Sequence, residues 1–356
     1  MNLYCRWQVI AIVLLTALSQ VVLAREIANG GHPWLLVGNA AADTVSYVDP
    51  RRGVIAGLRV GKAPFGIATD DRGRAYVATA EGVAVLDIAS RSRLMLIPYK
   101  AEIGPPGFGE YRKGGMGIDV SADGRFIYVG VYLGEQVNQI EVIDSIKGKV
   151  IASYPIGKRP FDVLLSADGR FVYSVDHDSY SIARVDLTSG TTDQIEVAPL
   201  GYGAFDKPHY GVFDGKGRLF LPVQGQALVA LDPVSENSEV YPLSADTHQH
   251  GVAITSDGSR LVIVGTGAAG GARQGPSLTL YDLDTNEETL LPLARTHEEV
   301  ALSKDGRYAY LTGGQSFTGG WNGLSVVDLE TTQTRFIEVP DQPLGIVTIP
   351  VQDREG

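Results

Sequence analysis

Cysteine is almost absent from this chain of 356 residues, and the single example is Cys5. Cys5 precedes the apolar run of the first 24 residues, whereas a lipidated cysteine would have to follow such a run. Once this leader is removed, the chain has no disulfide, no thiol nucleophile and no thiolate ligand. Any metal would therefore be bound through nitrogen and oxygen atoms.

Long hydrophobic runs are also missing after residue 24. Before it, Arg6 is followed by an apolar stretch over residues 9–24, which three polar residues interrupt and which ends in Val-Leu-Ala. A stretch this short, with a small residue at its end, is typical of a secretory signal peptide. We predict a signal peptide over residues 1–24 and a single periplasmic or secreted domain over residues 25–356 without a membrane span. An uncleaved N-terminal anchor is the alternative.

Several functional classes lack support. The formal net charge of −11 disfavours nucleic acid and anionic membranes as partners. No Gly-x-Ser-x-Gly motif indicates a serine hydrolase. The glycine-rich "GTGAAGG" follows one strand pattern and leads to another, so it lacks the helix N-terminus that a phosphate-binding loop needs.

What the chain does contain is a repeat. Turns resembling "ADGR" recur roughly every 40 to 50 residues, with glycines at 73, 124, 169, 217, 258 and 306. Each turn lies between two short runs rich in β-branched and aromatic residues, such as "DVLLS" before it and "VYSVDH" after it. These runs predict antiparallel strands, and glycine at the turn predicts a tight hairpin.

Each repeat continues with a third strand that ends in aspartate and with a fourth strand. The aspartates are at positions 87, 144, 186, 232, 282 and 328, where a carboxylate can accept a hydrogen bond from the backbone two residues on. The chain ends supply a seventh unit, because "WLLVGN" near the N-terminus lacks the first strand that "QPLGIVTIP" provides at the C-terminus. We predict an all-β, seven-bladed β-propeller with four antiparallel strands per blade, closed by the C-terminal strand joining the N-terminal blade.

The repeat resembles the YVTN-type β-propeller repeat. The stretches "PFGIATDDRGRAYVATAEGVAVLDIASR" and "RPFDVLLSADGRFVYSVDHDSYSIARVDLTSG" carry this resemblance, which covers nearly all of the chain after residue 24. Proteins with this repeat include the large propeller subunits of periplasmic amine dehydrogenases and lactonase-like proteins. The resemblance implies the fold but not one function, since propellers serve unrelated functions.

One face of the propeller is expected to carry the function. The links between blades and the loops between strands two and three share this upper face, and the long insertions lie in these connections: residues 97–115, 198–208, 265–277 and 313–323. Loops on a rigid scaffold often hold binding residues, and aromatic side chains beside Arg and Lys suit a protein partner or an anionic small molecule. The candidates for ligand contact are His177, Lys207, Tyr210, Arg273 and Trp321.

A second candidate site lies where each innermost strand begins, around the channel mouth. We call this set the mouth register; its members are Phe65, Met116, Phe161, His209, His250, Glu298 and Leu344. Four are apolar, and the other three, on consecutive blades, are His, His and Glu. His209, His250, Glu298 and the adjacent His297 are therefore candidate ligands for a divalent metal.

The sequence leaves the chemistry of this register open. Histidine beside glutamate also suits acid–base catalysis or ligand contact, and the same residues could line a solvated polar channel without further function. Two functions are therefore carried forward. The first is an exported binding scaffold, such as the large non-catalytic subunit of a redox complex. The second is a metalloprotein or enzyme that uses the His/His/Glu cluster.

Overall fold

The computed structural model describes residues 33–107, 109, 111–197, 207–223, 227–245, 247, 251–265, 275–314 and 320–350. Within these ranges the chain forms 28 strands in seven four-stranded antiparallel sheets. The single helical element described is one 3₁₀ turn, His177–Ser179. The predicted all-β, seven-bladed propeller is confirmed, whereas the signal peptide lies outside the described residues and stays a prediction.

The seven sheets follow one another along the chain as blades. Blade 1 consists of β28 (Pro343–Ile349), β1 (Trp34–Asn39), β2 (Thr44–Asp49) and β3 (Gly53–Arg59), and blade 2 of β4 (Ile67–Thr69), β5 (Arg74–Ala78), β6 (Gly82–Asp87) and β7 (Ser92–Pro98). Blade 3 consists of β8 (Gly114–Val120), β9 (Phe126–Tyr132), β10 (Asn138–Asp144) and β11 (Lys149–Ile156). Blade 4 consists of β12 (Pro160–Leu165), β13 (Phe171–Asp176), β14 (Ser181–Asp186) and β15 (Thr192–Glu196).

Blades 5 to 7 repeat this arrangement. Blade 5 consists of β16 (Val212–Phe213), β17 (Leu219–Val223), β18 (Ala227–Leu231) and β19 (Ser238–Pro242). Blade 6 consists of β20 (Val252–Ile254), β21 (Arg260–Gly265), β22 (Ser277–Asp282) and β23 (Glu288–Pro292). Blade 7 consists of β24 (Val300–Leu302), β25 (Tyr308–Thr312), β26 (Gly323–Asp328) and β27 (Thr334–Glu338).

The ring closes as the sequence predicts. C-terminal β28 pairs antiparallel with N-terminal β1, with Leu35 opposite Thr348 and Val37 opposite Ile346. On the outer side of the closure, the Arg335 guanidinium donates to the Pro50 and Arg51 carbonyls at 2.6 and 2.9 Å, which joins blade 7 to blade 1. Closure removes the exposed inner strand edge that an open ring would leave.

The repeated turns form as their residues dictate. All six turn glycines have positive φ between 65° and 84°, which other residues adopt only at a cost in strain. The aspartates that end the third strands accept backbone hydrogen bonds, as when Asp282 Oδ1 accepts from the amides of residues 284 and 285. The lower face is therefore a set of locally stabilised turns.

The hydrophobic core is divided between the blades. Among the described residues, seven buried clusters each join two neighbouring blades; one of them packs Leu35 and Val37 of blade 1 against Tyr310 and Leu324 of blade 7. An eighth cluster lies on the axis at the upper face. Burial on both faces of every blade makes the ring a rigid frame for the loops above it.

Candidate functional site

The mouth register forms a packed layer across the axis. Phe65, Met116, Phe161 and Leu344 are buried in one cluster, with the Phe65 and Phe161 ring centroids 5.9 Å apart. His209 and Glu298, from the polar arc of the register, are buried as well. The layer therefore differs from the open, solvated rim that the sequence allowed, because large side chains from several blades converge on the axis.

His209 belongs to an aromatic cluster. Its ring centroid is 3.7 Å from that of Phe161 in an edge arrangement, and 4.9 Å from that of Tyr210 in a stacked one. The His177 ring is 4.9 Å away. Three sequence candidates, His177, His209 and Tyr210, are therefore brought together against Phe161.

His177 is held by the single helical turn that follows β13. Its Nδ1 is 2.9 Å from Oδ1 of Asp178, and its side chain is only 4% exposed. Burial lowers the pKa of His177, so the neutral imidazole dominates at neutral pH. Because the Asp178 carboxylate can only accept a hydrogen bond, the imidazole proton of His177 lies on Nδ1. Its Nε2 is therefore a buried acceptor, without a hydrogen-bond partner among the described residues.

Asp178 is the anionic centre of this region. Its Oδ1 accepts from Lys207 Nζ at 3.0 Å, and its Oδ2 forms an ion pair with Arg159, 3.1 Å from Nε. Burial alone would raise the pKa of Asp178, but hydrogen bonds from His177 and Lys207 and the Arg159 charge hold it well below its ordinary value. Asp178 therefore stays ionised and fixes two cations of the mouth.

Arg159 lies over the aromatic cluster. Its guanidinium carbon is 3.4 Å from the ring centroid of Tyr111 and 5.8 Å from that of Phe161. The backbone of Arg159 has a left-handed φ of 59°, as Ala63 and Gln342 do at the same point of their blades. On the neighbouring blades 4 and 5, the position two residues before the mouth register thus holds a cation, Arg159 or Lys207. This repeated cation is visible in the sequence.

Arg112 is a buried cation at the same mouth. Its Nη2 donates to the Gly115 carbonyl at 2.7 Å and its Nη1 to the Lys113 carbonyl at 3.3 Å. The guanidinium carbon is 5.6 Å from the Phe65 ring centroid, and the residue is 3% exposed. Burial lowers the pKa of Arg112 to about 10, so it remains charged at neutral pH. Within the described ranges, no carboxylate pairs with it.

Below the mouth register, the channel widens into an axial chamber of about 150 Å³. Every blade contributes to its wall, and six of the seven do so through the residue that follows the mouth register, whereas blade 6 contributes Val252. The residues that follow the mouth register are Gly66, Gly117, Asp162, Tyr210, Gly251, Glu299 and Gly345. Glycine is required where strands converge, since a Cβ on Gly117 would lie 2.4 Å from Asp162 Cα. We call this set the chamber register; sequence reasoning missed it, although its spacing was readable.

Two carboxyl groups of the chamber have raised pKa values. Asp162 accepts from the amides of Val163 and Gly211 at 2.9 and 3.1 Å, and Glu299 accepts a hydrogen bond from Tyr210. Burial raises the pKa of Asp162 to about 7, and burial together with the nearby Asp162 raises that of Glu299 to about 8. The chamber is therefore lined by two carboxyl groups whose pKa values are raised into the neutral range.

The blade 7 candidates have separate surroundings. His297 Nε2 is 2.6 Å from the Ser325 hydroxyl, and burial lowers its pKa to about 3. Trp321 donates from Nε1 to the Thr296 carbonyl at 2.9 Å and packs on Gly313 and Gly323. These contacts place His297 in the packing of blade 7. Trp321 also lines a surface groove beside this blade.

The remaining candidates are only partly described. Glu298 is buried, and its carbonyl accepts from the Gly251 amide at 2.7 Å. His250 and Arg273 lie outside the described residues. Within the described ranges, no group of three or more His, Asp and Glu side chains is placed to hold a metal ion. The metal site of His209, His250, Glu298 and His297 stays a prediction, because His250 lies outside the described residues.

Comparisons with known proteins agree with the fold. No protein-family model and no curated protein sequence matches the chain. Among solved structures, the periplasmic gluconolactonase PpgL of Pseudomonas aeruginosa is 15% identical, with a TM-score of 0.65 over 90% of this chain and 99% of that chain. Hydrazine synthase of Kuenenia stuttgartiensis is 17% identical, with a TM-score of 0.63 over 86% of this chain and 92% of that chain.

A third similar structure is the dihydro-heme d1 dehydrogenase NirN, solved in complex with DHE. It is 14% identical to this chain, with a TM-score of 0.57 over 89% of this chain and 75% of that chain. At such identities these likenesses show the propeller fold alone. In the described parts of the chain, no helix has the length and apolar character needed to cross a bilayer.

Proposed function

We propose that this chain is an exported β-propeller scaffold, of the YVTN-repeat type, that binds a protein partner or a small ligand at the mouth of its upper face. The observation that carries the proposal is the concentration of buried polar groups there. Arg112, Arg159 and His177 are each about 3% exposed around the aromatic pair Phe65 and Phe161. Burial of such groups is costly and is found where a binding site needs them.

Two further lines support parts of this proposal. The first 24 residues have the pattern of a signal peptide, and the similar gluconolactonase is described as periplasmic. Hydrazine synthase and a dehydrogenase are also among the similar structures. These likenesses support a role as a large non-catalytic subunit of a redox complex as one version of the binding function.

Photo-crosslinking in the periplasm of the native host tests the binding face. A photoreactive phenylalanine at Tyr111, which is 57% exposed beside Arg159, should form an adduct with a partner. The same group at Val234, in an exposed lower-face turn, is the matched control. Native mass spectrometry of the purified protein would reveal a small ligand instead. No bound molecule and equal crosslinking from both positions would contradict the proposal.

A metal site at the same mouth is the second candidate function. The Asp178 carboxylate orients His177 as carboxylates orient metal-bound histidines, and the His209 ring centroid lies 4.9 Å from that of His177. The cations Arg159 and Lys207 beside Asp178 disfavour a further cation, which places this function second. Metal analysis of untagged protein tests it. Absence of metal, or equal metal in His209→Ala and His250→Ala, would contradict it.

A further inference from the structure

Arg112 indicates which class of ligand the mouth selects. A guanidinium has five N–H donors, and the described contacts of Arg112 use two of them, both with backbone carbonyls. A buried cation is ordinarily compensated by a carboxylate, since its desolvation is costly. Arg112 has no such partner among the described residues, and a bound anion would complement its charge.

His177 is an independent observation on the same aromatic platform. Its Nε2 is a buried acceptor without a described partner, and its ring lies 5.3 Å from that of Phe161 in an edge arrangement. A ligand hydroxyl or amine could donate to this atom. The mouth thus has a cation beside Phe65 without a described counter-ion, and an acceptor beside Phe161 without a described donor.

Two aromatic rings adjoin these groups. The Phe65 and Phe161 rings are 5.9 Å apart and inclined by 34°. Arg112 lies over the first ring and Arg159 over the second, with guanidinium carbons 5.6 and 5.8 Å from the ring centroids. Planar guanidinium groups stack on aromatic rings and bind carboxylates through paired hydrogen bonds.

We propose that the mouth binds a small planar organic carboxylate, with its carboxylate at Arg112, its flat body against Phe65 and Phe161, and a hydrogen-bond donor directed to His177 Nε2. The proposal rests on the binding function proposed above and names its ligand class. The net charge of −11 gives the whole chain no general attraction for anions. Selection of an anion must therefore come from local cations of the mouth.

Isothermal titration calorimetry with 4-hydroxybenzoate tests this inference, with 4-hydroxybenzamide as the uncharged analogue of the same shape. The carboxylate should bind at least tenfold more tightly than the amide. Arg112→Gln should weaken carboxylate binding at least tenfold, and Arg112→Lys should weaken it less. Arg93→Gln is the matched control, because Arg93 also donates to a backbone carbonyl but lies on an exposed outer strand.

The outcomes separate this inference from the binding function. Thermal unfolding of each variant shows whether Arg112 only secures its loop; if Arg112→Gln fails to fold, Arg112→Lys provides the comparison. Equal binding of carboxylate and amide at the mouth would overturn the anion class and leave the binding function standing. Carboxylate affinity that is unchanged by folded Arg112 variants would also overturn it. No binding of either compound, without crosslinking from position 111, would contradict both.

Discussion

The two faces of the propeller use charged residues in opposite ways. On the lower face, Asp168 and Asp257 are exposed and accept hydrogen bonds from a hydroxyl and an amide of their own turns. At the upper mouth, Arg112 and His177 are buried and their hydrogen-bonding capacity is only partly used. Lower-face carboxylates are thus fixed by their own turns, whereas Arg112 and His177 at the upper face are buried with donors and an acceptor that no described residue uses.

The pKa shifts follow the same division. Hydrogen bonds from Thr255 and Ser259 lower the pKa of the exposed Asp257 to about 2. Burial lowers the pKa of His177 and of Arg112, and raises that of Glu299 in the chamber. Local hydrogen bonding therefore dominates at Asp257, and desolvation dominates at these three buried groups.

The largest expected effect comes from removing the aromatic centre of the mouth. Phe161→Ala should lower the free energy of unfolding by about 3–5 kcal/mol, because Phe161 contacts Phe65, His177 and His209 in a buried layer. Phe171→Ala, at the lower end of the same blade and partly exposed, should cost about 1–2 kcal/mol. Urea denaturation measures both. Equal losses would remove the distinction between the faces.

A glycine pair separates crowding from backbone strain. Gly117→Ala should cost about 3 kcal/mol, because its Cβ would collide with the backbone of Asp162 at the axis. Gly169→Ala, in a lower-face turn with φ of 69° and open space around it, should cost about 1–2 kcal/mol. Chemical denaturation of the two variants provides the test. A greater loss for Gly169→Ala would show that the inner strands tolerate separation.

The chamber carboxyls predict a pH-dependent effect. The pKa of Glu299 is raised from its ordinary 4.5 to about 8 by burial and by Asp162, so the folded state binds protons more tightly than the unfolded state. Stability contributed by this group is present below pH 4.5 and falls as pH rises towards 8. Glu299→Gln should therefore gain about 3–4 kcal/mol relative to the wild type between pH 5 and pH 8.

Unfolding measured across this pH range checks the chamber prediction. Glu287→Gln, an exposed lower-face carboxylate, is the matched control and should follow the wild type. A Glu299→Gln curve parallel to that of the wild type would contradict the raised pKa of Glu299.

The smallest expected effect has the opposite dependence on pH. Because hydrogen bonds lower the pKa of Asp257 from 3.8 to about 2, the stability it contributes is present above pH 4 and is lost as pH falls through 2. Asp257→Asn should be slightly less stable than the wild type at pH 6 and indistinguishable from it near pH 2. A difference that persists at pH 2 would contradict the pKa-based explanation.

The repeat predicted the fold because each blade is encoded locally. Turn glycines, strand-ending aspartates and the split terminal blade are periodic, and the structure confirms each of them. The mouth register also grouped His209 with Phe161, and their rings are in contact in the structure. The contacts that the sequence did not predict depend on the direction of side chains. Asp178 contacts His177, Arg159 and Lys207 from two blades, and no single repeat encodes these contacts.

Burial was the other property that the sequence left open. The mouth register was compatible with a solvated rim, and only the convergence of Phe65, Met116, Phe161 and Leu344 shows that it is a packed layer. Asp162 and Glu299 belong to the chamber register, whose burial depends on how the inner strands converge on the axis. Their alternation with glycines at the same step marks the chamber.

A crystal structure with 4-hydroxy-3-iodobenzoate, which keeps both the carboxylate and the donor hydroxyl, tests the central claim most directly, because anomalous scattering locates the iodine without ambiguity. The mouth site predicts an iodine peak within about 5 Å of the Phe65 or Phe161 ring, with the carboxylate towards Arg112. The peak should disappear in Arg112→Gln crystals grown in the same form. Iodine found only on the lower face or between molecules of the lattice, with the mouth empty at saturating ligand, would contradict the account.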